Sequence, residues 1–154
     1  MPKEKIFKCA FKHCRHSSCD VSQGEAVKIG RRYYHRDCAD TRNDIEIIKN
    51  LYCEKISNTV VIPQLLSVIN NIVFQKGIDS AYLLFALRFA ITNKIVINSP
   101  YGLHYIIDNY KIKNAWSKHE ARKITNIHFE AKAGDEPVFQ VKNTVKKGLD
   151  NLFD

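Results

Sequence analysis

The stretch from Cys9 to Cys38 constrains this chain more than any other part of its sequence. It contains four of the five cysteines and three of the six histidines in 154 residues. Thiolate and imidazole are ligands that zinc prefers, and structural zinc sites hold the ion in a tetrahedron of four such groups. The odd cysteine count, and an N-terminus without the apolar core of a signal peptide, argue against a disulfide framework. The cluster therefore predicts a structural zinc site in a cytoplasmic protein.

The spacing selects the second ligand pair more clearly than the first. His35 and Cys38, separated by two residues, lie where a predicted strand gives way to a predicted helix, whose N-terminal dipole favours a thiolate. Cys9 and Cys14 are the preferred first pair, because the chain between Cys14 and His35 has room for a turn and a whole hairpin. Cys19 is an alternative ligand, since it follows Cys14 at the spacing that separates Cys9 from Cys14.

The surrounding sequence predicts an α+β protein that is mostly helical. The segment EAVKIGRRYYH, residues 25–35, alternates strand-forming residues around Gly30 and predicts a β-hairpin. Apolar residues at three- and four-residue steps then predict a series of helices. The predicted organisation is a zinc-stapled hairpin module with a trailing helix over residues 1–56, a helical domain over 57–124, and an extended or hairpin arm with a C-terminal tail over 125–154.

The segment KCAFKHC…GEAVKIGRRYYHRDC resembles the N-terminal zinc module of small phage and prophage proteins of Gram-positive bacteria. Those modules share a cysteine pair, a VK(I/V)G(R/K)RYYH hairpin and a final His-x2-Cys on a helix, which is similar to half of a LIM domain or to a treble-clef finger. This chain departs from the pattern by the four residues between Cys9 and Cys14 and by the added Cys19. The resemblance implies a structural zinc ion and no particular activity.

Two further segments resemble parts of bacterial replication proteins. Residues 74–116 are similar to the C-terminal helical region of DnaD-type replication-initiation proteins, with a Gly-Ile step, an Ala-Leu-rich helix, a connector and the pattern Tyr-x3-Tyr-Ile-Ile-x-Asn. The tail GLDNLFD resembles the peptide by which bacterial proteins dock into the replication sliding clamp, with glycine in place of the usual leading glutamine. That resemblance implies three partner-binding residues: Leu149, Leu152 and Phe153.

The charge of the chain favours a polyanionic partner. Its net charge is +8, and residues 57–124 alone carry eight Lys or Arg against three Asp or Glu. Cations neutralise phosphates, while aromatic rings stack on bases. The predicted nucleic-acid-binding residues are Arg31, Arg32, Lys111, Lys113, Trp116, Lys118, Arg122 and Lys123. The alternative is that Trp116 and Tyr110 pack inward and the lysines are only solvated.

No catalytic motif accompanies the cluster. The sequence lacks a phosphate-binding glycine-rich loop, a Gly-x-Ser-x-Gly elbow and the His-x-Glu of zinc deaminases, so we do not expect an enzyme. No apolar run has the length needed to cross a bilayer. We expect a phage-type, cytoplasmic zinc protein of a bacterial host that binds nucleic acid as a replication or regulatory accessory factor. The alternative is a protein–protein adaptor or inhibitor that docks on a host or phage replication, transcription or defence complex.

Overall fold

The computed structural model describes residues 2–133, with side chains through residue 126, and it is mostly helical with two short hairpins near the N-terminus. The predicted partner-binding residues Leu149, Leu152 and Phe153 lie outside the described residues. Residues up to Trp116 form one compact unit. The elements are β1 (Ile6–Lys8), β2 (Asp20–Ser22), β3 (Val27–Ile29), β4 (Arg32–Tyr34), α1 (Arg36–Lys55), α2 (Ile62–Asn70), a π-helical turn (Asn71–Gln75), α3 (Ser80–Thr92), α4 (Gly102–Asp108) and α5 (Tyr110–Ala133).

The predicted hairpin is formed by β3 and β4, which pair antiparallel around a turn at Gly30. Gly30 has φ +62°, a left-handed conformation that glycine adopts without steric cost. A second hairpin, which the sequence analysis did not predict, pairs β1 with β2. The two hairpins are joined where the Ala10 N–H donates to the Tyr33 carbonyl oxygen at 2.9 Å and the Phe7 ring stacks on the Tyr33 ring at 3.8 Å.

Helix α1 takes part in two separate clusters of buried residues. Its first turn contributes Cys38 and Ala39 to a small cluster, in which they pack with Tyr34 of β4. Further along, Ile48 and Tyr52 enter the main core, which is built largely from α2, α3 and α4. The trailing helix predicted for the zinc module thus packs against the helical part as well, because its apolar stripe continues well past its first turn.

The helices of the main core begin and end at the residue types expected from their sequence. Pro63 stands in the first turn of α2, and the Asp79 carboxylate accepts from the Ala81 N–H at 3.0 Å as the N-cap of α3. Gly77, with φ +70°, ends the π-helical turn and lets the Ile78 N–H donate to the Ile72 carbonyl oxygen at 3.1 Å. These local signals fix where each apolar face meets its neighbours.

The sequence prediction was wrong about the residues just after 124. An extended or hairpin arm was expected from residue 125, whereas α5 continues as a helix to Ala133. The chain supplies helix-forming residues through this stretch and has neither glycine nor proline until Gly134. Over the described residues, no helix is long and apolar enough to cross a membrane.

Candidate metal centre

The structure brings Cys9, Cys14, His35 and Cys38 together. Cys9 directly follows β1, and Cys14 lies in the loop between β1 and β2. His35 is the N-cap residue of α1, and Cys38 lies in the first turn of that helix. The three sulfur atoms and one imidazole nitrogen all lie within 4.8 Å of one another. This is close enough to bind a metal ion.

The distances within the group suit four ligands around one ion. The Nδ1 atom of His35 lies 3.5 Å from the Cys14 sulfur and 3.9 Å from the Cys38 sulfur. Zinc bonds of about 2.3 Å to sulfur and about 2.0–2.1 Å to nitrogen, at the tetrahedral angle, place two such ligand atoms roughly 3.6 Å apart. The two observed separations lie close to this value.

The other nitrogen of His35 is held by the first hairpin. His35 Nε2 donates to the Asp20 carbonyl oxygen, which belongs to β2, at 3.1 Å. A carbonyl oxygen can only accept, so Nε2 carries the proton and Nδ1 presents its lone pair to the three sulfur atoms. Metal-ligating histidines commonly make such a bond with their second nitrogen, which fixes both the ring orientation and the tautomer.

The protein environment favours the neutral thiol of Cys38. Cys38 is only 4% exposed. Burial, together with hydrogen bonds to the Cys14 and Cys9 sulfurs, raises the pKa of the Cys38 thiol. A group of thiols in such a place becomes ionised when a cation compensates for the lost hydration and for the repulsion between thiolates. A cation bound by these four side chains would therefore have to displace the proton of Cys38.

Cys19 stands outside the group of four. Its carbonyl oxygen accepts from the Cys9 N–H at 2.7 Å, and its sulfur lies 3.6 Å from the His16 carbonyl oxygen. Cys19 also has φ +54°, an uncommon conformation for a residue with a side chain. The role it plays in this structure is to turn the backbone from the ligand loop into β2.

The loop between β1 and β2 rests on the π-helical turn. The His13 ring stacks on the Phe74 ring with centroids 4.1 Å apart, and the Phe11 ring meets the same side chain at 5.8 Å. The Arg15 guanidinium donates to the Val73 carbonyl oxygen at 3.2 Å. These contacts fix the loop that carries Cys14 against the helical core. Nothing local in the sequence marks them, because they join residues roughly sixty positions apart.

A second group of potential ligands lies beside the first. His16 Nε2 donates to the Asp37 carboxylate at 3.0 Å, and the His16 ring stacks on the His35 ring at 3.7 Å. Burial opposes ionisation of Asp37, but hydrogen bonds from His16 and from the Cys38 N–H outweigh it and lower the pKa of the Asp37 carboxyl. The sequence analysis did not pair these residues. The sequence offered one sign of this pair: both residues are potential metal ligands, and they stand close to the four predicted ones. His16 lies in the loop that carries Cys14, and Asp37 lies between His35 and Cys38.

The predicted nucleic-acid-binding cations are exposed. Arg31 and Arg32 lie at the tip of the second hairpin, and Lys111 and Lys113 lie in the first turn of α5. In the part of α5 that follows Trp116, three more cations are exposed: Lys118, Arg122 and Lys123. Lys123 Nζ lies 3.3 Å from the Glu120 carboxylate, so part of its charge is already compensated.

Trp116 belongs to the core instead of forming an exposed stacking surface. Its ring meets the Tyr82 ring edge-on at 5.6 Å and the Phe85 ring at 5.2 Å. The side chain is half-buried against the helical core. The expectation that Trp116 stacks on bases therefore gives way to the alternative that it packs inward. Burial of a large aromatic ring is favourable, whereas the neighbouring lysines keep their charged ends in water. Tyr110, which was also expected to pack inward under this alternative, is 68% exposed.

Three thiols and one imidazole, placed by the β1–β2 loop and by the start of α1, thus form the candidate metal centre. The hairpins and the π-helical turn hold these groups in position through backbone and ring contacts. Comparison of the chain with protein-family models, with curated proteins and with solved structures gave no match.

Proposed function

We propose that this chain is a structural-zinc protein of phage type that binds nucleic acid as a replication or regulatory accessory factor. The observation that carries the proposal is the convergence of Cys9, Cys14, His35 and Cys38 within 4.8 Å. The exposed cations of the same module support the choice of partner.

Zinc is the metal that best suits this donor set. Three thiolates with one imidazole is a common set in structural zinc sites, and soft sulfur ligands disfavour magnesium and calcium. Four protein ligands complete a tetrahedron and leave no position for a reacting water. A metal held in this way contributes folding free energy to the small hairpin module that surrounds it. We therefore assign the zinc a structural role.

The module that holds the centre is rich in positive charge. Residues 1–38 contain nine Lys or Arg and four Asp or Glu. Most of these cations are exposed, and those on the β3–β4 hairpin are Lys28, Arg31 and Arg32. A metal-fixed hairpin presents such cations in a set geometry, so that they neutralise phosphates with little loss of backbone entropy on binding. This argument supports nucleic acid as the partner.

The metal assignment is tested by elemental analysis of the purified full chain. We expect one zinc per chain in the native protein and in Cys19→Ser, and no stoichiometric zinc in Cys38→Ser. Cys19→Ser is the matched control, because it removes a neighbouring thiol that lies outside the group of four. A native chain without metal, or loss of zinc in Cys19→Ser, would contradict the ligand set.

The partner is tested by binding short DNA and RNA, single-stranded and duplex, over a range of salt concentrations. Affinity should fall as salt rises, and replacing Arg31 and Arg32 together by alanine should lower the slope of log K against log salt by about two. Lys55→Ala is the control, because α1 places that exposed lysine roughly 28 Å along the helix from Arg36. If no nucleic acid binds at low salt, the proposal fails and the protein–protein adaptor becomes the better hypothesis.

A further inference from the structure

The group formed by His16, Asp37 and Cys38 suggests a second metal position next to the structural one. Their ligand atoms, an imidazole nitrogen, a carboxylate oxygen and a thiol sulfur, lie within 4.8 Å of one another. We propose that this group binds a second, exchangeable transition-metal ion that shares the Cys38 sulfur with the first. The inference rests on the proposed zinc site, because Cys38 belongs to both groups.

The two groups differ in their access to solvent. The side chains of His16 and Asp37 are 45% and 67% exposed, whereas Cys9, Cys14 and His35 are half-buried. The metal in the group of four would thus be the more enclosed, and an ion bound by His16 and Asp37 would face the solvent. An exposed site with fewer protein ligands binds and releases its metal more readily than an enclosed one.

The charge balance favours a cation at this place. Three thiolates and a neutral imidazole around one divalent ion would leave a net negative charge beside this group. A thiolate sulfur has lone pairs left after binding one metal, so it can bridge to a second. Nitrogen, oxygen and sulfur together form a borderline donor set, which suits zinc, cobalt or nickel and does not suit calcium or magnesium.

Space for further ligands lies beside the group. A cavity of about 460 Å³ is lined by His16, Asp37, Glu25 and Arg36, among other residues. It leaves room for a water molecule or a small anion on the metal, and Arg36 supplies a positive charge that favours an anion. Three protein ligands with an open position distinguish this site from the closed tetrahedron of the first.

The hydrogen bond between His16 and Asp37 competes with the second metal. His16 Nε2 now donates to the carboxylate at 3.0 Å, and an ion at this place must break that hydrogen bond. With fewer protein ligands and a hydrogen bond to break, the second metal should bind more weakly than the first. A mild chelator should remove it while the first zinc stays in place.

The experiment measures metal stoichiometry of the full chain by equilibrium dialysis against micromolar free zinc, followed by elemental analysis. We expect two zinc ions per chain, of which one is retained after treatment with a weak chelator. His16→Ala and Asp37→Ala should each bind one zinc ion. In a parallel titration with cobalt, the second equivalent should change the sulfur-to-cobalt charge-transfer absorption, because the bridging sulfur acquires a second metal.

Two control variants separate this site from its neighbours. His13→Ala removes another histidine of the same loop, one that stacks on Phe74, and Cys19→Ser removes the nearby free thiol. Both should bind two zinc ions. One zinc ion in the native chain, or two in His16→Ala, overturns the second site and leaves the first intact. A native chain that binds no zinc overturns the proposed function instead.

Discussion

Replacing Tyr82 by phenylalanine removes one hydroxyl group from the helical core and leaves the ring in place. Tyr82 lies on α3 and is 9% exposed, and its hydroxyl donates to the Ile107 carbonyl oxygen at 2.8 Å. Ile107 lies in the last turn of α4, where carbonyl groups have no partner within the helix. The hydroxyl therefore satisfies a carbonyl that helix α4 leaves unpaired.

The size of the effect follows from what the substitution leaves behind. A hydrogen bond of this kind contributes about 1 kcal/mol net, and a buried carbonyl without a partner costs about 1–3 kcal/mol. The edge-on contact with Trp116 at 5.6 Å is kept by the phenylalanine ring, so no cavity term is added. We expect Tyr82→Phe to lower the free energy of unfolding by about 1–2 kcal/mol, and the thermal midpoint by roughly 2–8 °C.

The measurement is urea unfolding of the zinc-saturated protein, followed by far-ultraviolet circular dichroism. The matched control is Tyr105→Phe, because that tyrosine is 81% exposed and its loss of a hydroxyl should change stability by less than about 0.5 kcal/mol. The denaturant dependence should stay the same in both variants, since neither changes the surface exposed on unfolding. If Tyr82→Phe is as stable as Tyr105→Phe, the buried hydroxyl does not hold α3 to α4.

Three more predictions concern the core, a turn and the metal. Burial raises the pKa of the Asp44 carboxyl, although the hydrogen bond from Ser80 acts in the opposite direction. The contribution of Asp44 to stability is therefore full below the unfolded pKa of about 3.9, and it is lost as pH rises through the higher pKa of the folded state. Asp44→Asn should flatten that pH dependence in acid-to-neutral unfolding curves, and an unchanged slope would contradict it. Gly77→Ala should lower the free energy of unfolding, measured by thermal unfolding, by about 1–2 kcal/mol, because φ at Gly77 is +70°. The cost is conformational, since nothing lies within 4 Å of the added carbon. The control Gly24→Ala should be close to neutral. Treatment with a strong chelator should lower the thermal midpoint of the helical core and abolish the circular dichroism contribution of the hairpins, and adding zinc should restore both. An unaltered midpoint would show that the stability of the core does not depend on the metal.

The features predicted from the sequence were those encoded by neighbouring residues. The β3–β4 hairpin is indicated by alternation and by Gly30, and the end of the π-helical turn and the start of α3 are marked by Gly77 and Asp79. His35 and Cys38 belong to the same class, because two residues within one turn of helix can be placed from the sequence alone. Local conformational preference decides such positions before any tertiary contact forms.

The features that escaped prediction depend on distant parts of the chain. Strand β2 is three residues long and exists because β1 pairs with it. The stacking of His13 on Phe74 joins two elements whose separate sequences carry no sign of each other. Cys14 and Cys19 follow the same spacing, so that only the path of the loop through three dimensions could separate them. The spacing of two residues along the chain limits how far apart their side chains can lie, whereas the burial and orientation of those side chains depend on tertiary packing.

Helix α1 has a consequence for how the chain responds to change over evolution. One uninterrupted helix supplies Cys38 to the candidate metal centre and Tyr52 to the main core, so a loss of structure in one half should weaken the other. By linkage, any free energy that the metal adds to the folded state also protects the helical part, and core substitutions lower the apparent affinity for metal. The four candidate ligands and the remote core are therefore coupled through α1, and the affinity for a bound metal should depend on core residues that do not contact it.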